Sequence, residues 1–343
     1  LNYREYPNRG RAGADIEGNG LPTAISQKDQ PMKPPFVSVI MPCFNAAATI
    51  CVAVASVLAQ DFADFELIVI DDGSRDGSVV AVQELAAHDS RVRVICQANA
   101  GPSAARNRGI RQSRGAVLAF LDADDRWEPT LLSTHLAHFT RDGECGVSFA
   151  RIRFFDSSLT WAGRFSASVY AVSLAQVLGE NPICTTSNLV ARRQVFDAVG
   201  LFDETLTHGE DQEWVARVLA TSGWRVVGLP DVLVHYRTSP GGLSADLDRM
   251  STGWAAVLDR VRGYAPEQAA AAEAEATALF HRYLTRRALR TGQVTDCLRP
   301  FLRAWRASPW ALLTHQPRRT ALTTLGVMLA LLPGNPARAL LSR

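Results

Sequence analysis

The sequence predicts an α/β fold, built on a mainly parallel sheet with helices on both faces and a helical extension at its C-terminal end. Three observations predict it. Four short apolar runs, Val37–Met41, Phe65–Ile70, Val92–Cys96 and Ala116–Leu121, have the length and the Val, Ile, Leu and Phe content of buried strands. Helical segments separate them, at about Ala48–Gln60, Ser78–His88 and Ser103–Gln112. Beyond about Trp254 the composition shifts to Ala, Leu and Arg, in a pattern helical to the end with breaks expected at Gly292, Pro300 and Pro309.

The remaining elements follow in order. Residues 1–35 lack periodicity and close on Pro31-Met32-Lys33-Pro34-Pro35, which reads as a disordered or loosely packed leader. A helix is expected over Pro129–Thr140 and a strand near Gly146–Arg153, followed by an irregular stretch over 154–185. Gln194–Val199 and Asp211–Thr221 read as helices and Trp224–Leu229 as a strand. The expected organisation is a catalytic domain over 36–250 and a helical region over 251–343.

Composition narrows the function. A chain of 343 residues with 47% apolar content can bury a substantial core. The net charge is only +2, from 36 basic and 34 acidic residues, so there is no overall signature of nucleic-acid binding. The six cysteines form no CxxC pair and show no zinc-ligand spacing, which predicts buried free thiols in a reducing cytosol. Residues 1–30 are polar and no apolar stretch approaches the about 20 residues of a membrane span, so the expected location is cytoplasmic.

In an open parallel sheet, ligands bind outside the carboxyl ends of the strands. Here those ends carry Pro42 to Asn45, Asp71 to Asp76, Gln97 to Pro102, and Asp122-Ala123-Asp124-Asp125. Four polar ends point to a shared site. Asp122 and Asp124, two residues apart, repel each other unless protonated or bridged by a hard cation such as Mg²⁺ or Mn²⁺; an Asp-rich turn is the plainer alternative. Asp71-Asp72-Gly73-Ser74 could cap the next helix, yet capping explains one carboxylate and not two. Arg106, near the start of a helix, is placed to meet a diphosphate, whereas Arg108, Arg111 and Arg114 read as a solvent face. Glu210 and Asp211 open a later helix, as a cap or as a base for an acceptor hydroxyl.

Together these residues resemble glycosyltransferase family 2, whose members have the GT-A fold. The resemblance rests on seven segments in order: VSVIMPCFN (37–45), SVLAQ (56–60), FELIVIDDGS (65–74), NAGPSAARNRG (99–109), LDADD (121–125), GEDQEW (209–214) and YRTSPGGLS (236–244). It implies an inverting transfer of a sugar from a nucleotide diphosphate, with UDP expected, to a hydroxyl of a glycan or lipid-linked acceptor. It further implies that Pro42, Asn45, Asp72, Arg106, Asp122 and Arg237 bind the nucleotide sugar. Asp124, with Asp122, would hold a divalent cation, and Asp211, beside Glu210, would be the base. Many relatives carry a His two residues after the Tyr-Arg pair; here Ser239 stands there and His235 precedes the pair.

Other classes lack their signatures. There is no GxGxxG after the first strand, no P-loop, and no Gly- and Arg-rich triphosphate loop. A non-catalytic nucleotide-sugar-binding or interaction protein on the same fold is the alternative. In the C-terminal region, Arg282, Arg286, Arg287, Arg290, Arg299, Arg303 and Arg306 accompany Trp305 and Trp310, and Arg318-Arg319 precede the apolar run Ala321–Leu332. Either these helices cover the catalytic domain, or residues 318–343 make peripheral contact with a membrane surface.

Overall fold

The computed structural model describes residues 34–155, 161–238 and 247–332. Strands β1 (Val37–Cys43), β2 (Phe65–Asp71), β3 (Val92–Cys96) and β4 (Val117–Phe120) alternate with helices α1 (Ile50–Leu58), α2 (Ser78–His88) and α3 (Pro102–Gln112). The strands lie parallel in the order β3-β2-β1-β4, with Val37 level with both Phe65 and Val117. All seven residues of β2 are buried. Burial on both faces is why the run is continuously apolar rather than alternating. Parallel direction also places all four polar strand ends along one edge.

Past β4 the sheet becomes mixed. After the two-residue β5 (Arg126–Trp127) come α4 (Leu131–Arg141), β6 (Cys145–Phe155) and β7 (Trp161–Phe165). Next are α5 (Leu174–Gly179), β8 (Val190–Arg192), α6 (Arg193–Val199), α7 (Glu210–Thr221) and β9 (Arg225–Arg237). β8 runs antiparallel to β4 and β6, β9 parallel to β6, and β5 antiparallel to β9, giving a nine-stranded sheet with β7 paired to β6.

Several expectations need correction. The stretch 154–185 contains β7 and α5, the latter opened by a capping box of Ser173 and Gln176. β5 and β8 are too short to leave a periodic trace, and tertiary pairing alone creates them. β9 continues past Leu229 to Arg237, because an exposed Pro230-Asp231 interrupts its burial without ending it. Cys51, Cys96 and Cys184 are exposed, so only Cys43, Cys145 and Cys297 are the buried thiols expected of all six. The leader, residues 1–33, lies outside the described residues.

Two apolar layers enclose the sheet, one under α1, α2 and α4 and the other under α3 and α5 to α7. In the second, Phe196 stacks on Trp214 with centroids 4.2 Å apart, and Phe120 and Phe202 close the cluster. Gly109 lets α3 press onto β1: a Cβ there would lie 2.4 Å from Ile40 Cγ2.

The C-terminal helices are α8 (Leu247–Tyr264), α9 (Pro266–Thr291), α10 (Leu298–Ala307), α11 (Pro309–Thr314) and α12 (Pro317–Ala330). Gly292 ends α9 in a left-handed conformation, and Pro309 begins α11. Pro300 breaks nothing; it sits in the first turn of α10, where a missing N–H removes no intrahelical bond. α9 lies against α5 and α8, with Phe280 stacked on Trp254 at 4.4 Å, so this region does cover the sheet domain. Among the described residues, no helix is long and apolar enough to cross a membrane.

Candidate active site

The first two strand ends are locked together. Asn45, left-handed at φ 49° and exposed, donates its N–H to Ser74 Oγ (2.9 Å) and accepts from Arg75 N–H at Oδ1 (2.9 Å). Pro42, half-buried, lies within β1. The Asp72 carboxylate is buried and saturated. Oδ1 accepts from Gln97 Nε2 (2.7 Å) and Ala100 N–H (2.8 Å), and Oδ2 accepts from Asn99 Nδ2 (3.1 Å) and Gly101 N–H (2.8 Å). Asp72 thus moulds the Gln97–Gly101 loop. Its neighbour Asp71 receives Ser74 N–H at Oδ2 but leaves Oδ1 buried with no partner.

The next strand end is joined to α3 and α7 through one arginine. Arg106 is 4% exposed; its Nη2 donates to Asp122 Oδ1 (2.6 Å) and its Nη1 to Glu210 Oε1 (2.8 Å). Burial works against its charge, but Asp122 and Glu210 outweigh burial and hold it protonated. Arg106 therefore ties two carboxylates together, rather than lying open to a diphosphate as its place near a helix start suggested. Gly209, left-handed at φ 77°, turns the chain into α7 and sets Glu210 and Asp211 in its first turn. Asp211 accepts from Asn181 Nδ2 (3.4 Å) and from Gln212 N–H (2.7 Å). Burial, then the charge of Glu210, raises its pKa to about 7.

Around the Asp122–Asp125 turn, negative charge is crowded. Burial and then Asp122 raise Asp124 to about 6, and burial followed by Asp124 and Asp122 pushes Asp125 well above the ordinary carboxylate range. Asp125 Oδ1 accepts Arg237 N–H (2.8 Å), while its Oδ2 is buried without a partner. Arg237 Nε donates to the Asp124 carbonyl (3.1 Å), and its guanidinium lies over the Phe155 ring, 4.9 Å from the centroid. His235 faces elsewhere, with Nε2 2.6 Å from Glu128 Oε1. Ser239 lies outside the described residues.

This donor set fits a hard cation. It consists only of carboxylate oxygens, two of them pushed towards protonation by burial and then by like charge, and the latter is the conflict a divalent ion relieves. Among the described residues no three ligating side chains converge on one point. A cation here would depend on oxygens from a ligand to complete its shell, as Mg²⁺ commonly does with phosphates.

Sequence reading passed over several residues of the site. Asp125 and Asp71 adjoin acidic positions already singled out, and only burial separates anchor from orphan. Ser187, whose Oγ accepts Asp122 N–H (3.0 Å), and Asn181 come from the stretch read as irregular or beside it. Cys184, left-handed at φ 68°, lies within electrostatic reach of Asp211 and of Arg319 on α12. No local signal marks these residues.

Parallel strand ends, an acidic turn and a carboxylate opening a helix across from it define a GT-A sugar-transferase architecture. The sequence model described as "Glycosyl transferase family 2" matches residues 38–200. Glycosyltransferase AglE of Haloferax volcanii is 32% identical over 212 residues, which are 61% of this chain and 69% of AglE. The putative teichuronic acid biosynthesis glycosyltransferase TuaG of Bacillus subtilis is 28% identical, over 62% of this chain and 82% of TuaG. Among solved structures, S. aureus TarS 1-349 in complex with UDP aligns with a TM-score of 0.54 at 21% identity, covering 89% of this chain and 88% of that one. Mannosyltransferase PcManGT of Pyrobaculum calidifontis, in complex with GDP-Man and Mn²⁺, aligns with a TM-score of 0.57 at 20% identity, covering 90% and 86%. The chain belongs to glycosyl transferase family 2 and is a glycosyltransferase.

Proposed function

We propose that this chain transfers a sugar from a UDP-sugar, with inversion, to a hydroxyl of a glycan or lipid-linked acceptor. The observation that carries this reading is the Arg106 bridge, which couples the acidic turn through Asp122 to the helix bearing Glu210 and Asp211. Asp211 is the base. Its ionised oxygen takes the acceptor hydroxyl proton as the acceptor oxygen bonds to the anomeric carbon, and the bond from that carbon to the diphosphate oxygen breaks with its electron pair leaving on the nucleotide. A pKa of about 7 lets the group both accept and release a proton near neutrality. Asp124 and Asp122 would hold a divalent cation, which supplies charge neutralisation at the departing diphosphate. Pro42, Asn45 and the loop held by Asp72 would line the base and ribose side, and Arg237 the diphosphate side. The relatives support a nucleotide-sugar donor. TarS is described with UDP and with UDP-GlcNAc, and Escherichia coli WfgD, 42% identical over 26% of this chain, is named a UDP-Glc glucosyltransferase acting on a diphosphoundecaprenol-linked sugar.

The test is calorimetric titration of UDP, with and without Mn²⁺, into wild type and Asp124→Asn. Cation-dependent binding that collapses in the variant is expected. Binding indifferent to both cation and substitution would overturn the metal–diphosphate assignment.

A second proposal concerns location. We infer a cytoplasmic protein that rests peripherally on an anionic membrane. Trp310 is 75% exposed, and Leu313, Leu322, Leu325, Met328 and Leu331 on α11, α12 and its C-terminal end are exposed as well. Arg299, Arg303, Arg306 and Arg318 lie nearby in sequence and are also exposed. Apolar and cationic groups together suit an anionic interface. Residues 333–343 of the expected contact segment lie outside the described residues. Flotation with anionic vesicles checks this: Trp310→Ala combined with Leu325→Ser should reduce recovery, and unchanged recovery refutes it.

A further inference from the structure

A second charged cluster adjoins the base. Glu180, just after α5, is nearly buried; its Oε2 accepts from Arg282 Nη2 (2.7 Å) and lies 3.1 Å from Arg319 Nη1. Arg282 Nη1 donates to the His315 carbonyl and to Thr320 Oγ1, while its Nε is buried with no partner. One turn along α9, on the same face, Arg286 is half-buried and makes no hydrogen bond or ion pair among the described residues. Burial, followed by Arg319 and Arg290, presses its pKa down to about 9, and Glu180 offsets this only in part. A guanidinium stays protonated at neutral pH. Three guanidinium groups therefore surround one carboxylate. A half-buried cation is costly to hold without a full counter-charge, and among the described residues Glu180, already paired with Arg282 and Arg319, offsets that cost only in part.

The cluster lies next to the base. Asn181, next to Glu180, reaches Asp211. The exposed Cys184 lies within electrostatic reach of Arg319, Asp211 and Glu180 together. Residues 180–184 thus have the base on one side and the arginines on the other. A cleft of about 210 Å³, lined in part by Glu180, Pro182, Arg282 and His315, opens beside them.

We propose that Arg282, Arg286 and Arg319 form a subsite for a phosphate group of the acceptor, so that Asp211 receives its hydroxyl from a phosphate-bearing substrate. The proposal rests on the reading of Asp211 as base and names the chemical class of acceptor for that site. Planar guanidinium groups converging from two helices match phosphate oxygens.

The test uses the full chain saturated with UDP, so that the donor site cannot take the probe. Inorganic phosphate, farnesyl monophosphate and farnesol are titrated into wild type, Arg286→Ala and Arg286→Lys. Both phosphate probes should bind wild type, Arg286→Ala should weaken them by about tenfold or more, and Arg286→Lys should restore part of the affinity. Farnesyl monophosphate binding tighter than inorganic phosphate, with farnesol not binding, supports a lipid-linked phosphate. Equal binding of the two phosphates supports a soluble phosphorylated acceptor. Phosphate probes that bind Arg286→Ala as well as wild type, or that bind neither, overturn the proposal. UDP is titrated alone into the same samples: its failure to bind would count against the nucleotide-sugar reading, while the effect of Arg286→Ala on the phosphate probes would still decide the subsite.

Discussion

The two sides of the site handle buried charge in opposite ways. On the side of the parallel strand ends, Asp72 is a buried carboxylate answered by four donors from a single loop, two of them backbone N–H groups. On the side of α5, α9 and α12, Glu180 is one carboxylate shared by two arginines, with a third near it that makes no ion pair among the described residues. Asp124, Asp125 and Asp211 are carboxylates that burial, and then neighbouring charge, drives towards protonation. A carboxylate whose lone pairs are filled by its own chain is architecture. Groups left under-satisfied are held ready for something the fold does not contain.

The sharpest way to break this contrast is Asp211→Asn. Removing a general base should lower turnover by about 10²–10⁴-fold while UDP affinity is retained. A variant with near-normal turnover would move the base elsewhere. Next in size is Glu180→Gln, which leaves Arg282 buried without its counter-charge. Breaking such a pair should cost about 3 kcal/mol, read as a lower midpoint in urea. The pH dependence has a definite sign. Burial alone would raise the Glu180 carboxyl, but Arg319 and Arg282 outweigh it and hold the pKa below its ordinary 4.5. Its stabilisation is therefore present above that value and lost as pH falls through the lower folded value. Glu180→Gln should flatten this part of the acid-unfolding curve.

Asp72→Asn should cost somewhat less, about 2 kcal/mol, because an amide nitrogen would face backbone donors that the carboxylate accepted. Weakened UDP binding should accompany the lower melting temperature, since the same loop lines the nucleotide side. Intact binding would separate that loop from the donor. The smallest expected effect is a shift in the pH profile. Turnover should rise with pH through about 7 as Asp211 ionises, and Glu210→Gln should move that limb to lower pH by removing the charge that raises it. A limb that stays in place would assign it to another group.

Much of this was legible in the sequence. The four parallel strands and their polar ends could be read because buried runs such as Phe65–Asp71 are continuous in the chain and carry their own periodicity. The acidic turn and the Glu210-Asp211 pair stood out for the same reason: each functional group lies within a few residues of the next. β5, β8 and the second half of β9 did not, since their existence depends on partners far away in the chain.

What the sequence by itself determined, then, is the fold class, the family and the short acidic segments, all local patterns whose meaning needs no partner. Only the tertiary structure decided how each charge is used. Asp71 and Asp72 are neighbours of one residue type, and Asp72 is saturated while an oxygen of Asp71 is not. Arg106, which looked like a phosphate ligand, became a bridge between residues 122 and 210. Arg282, Arg286 and Arg319, which the sequence shows only as members of a basic helical region, gather around Glu180. The physical reason is that the state of a charge depends on its burial and on which counter-charges fall within a few ångströms, and distances between residues a hundred positions apart are set by packing rather than by order along the chain.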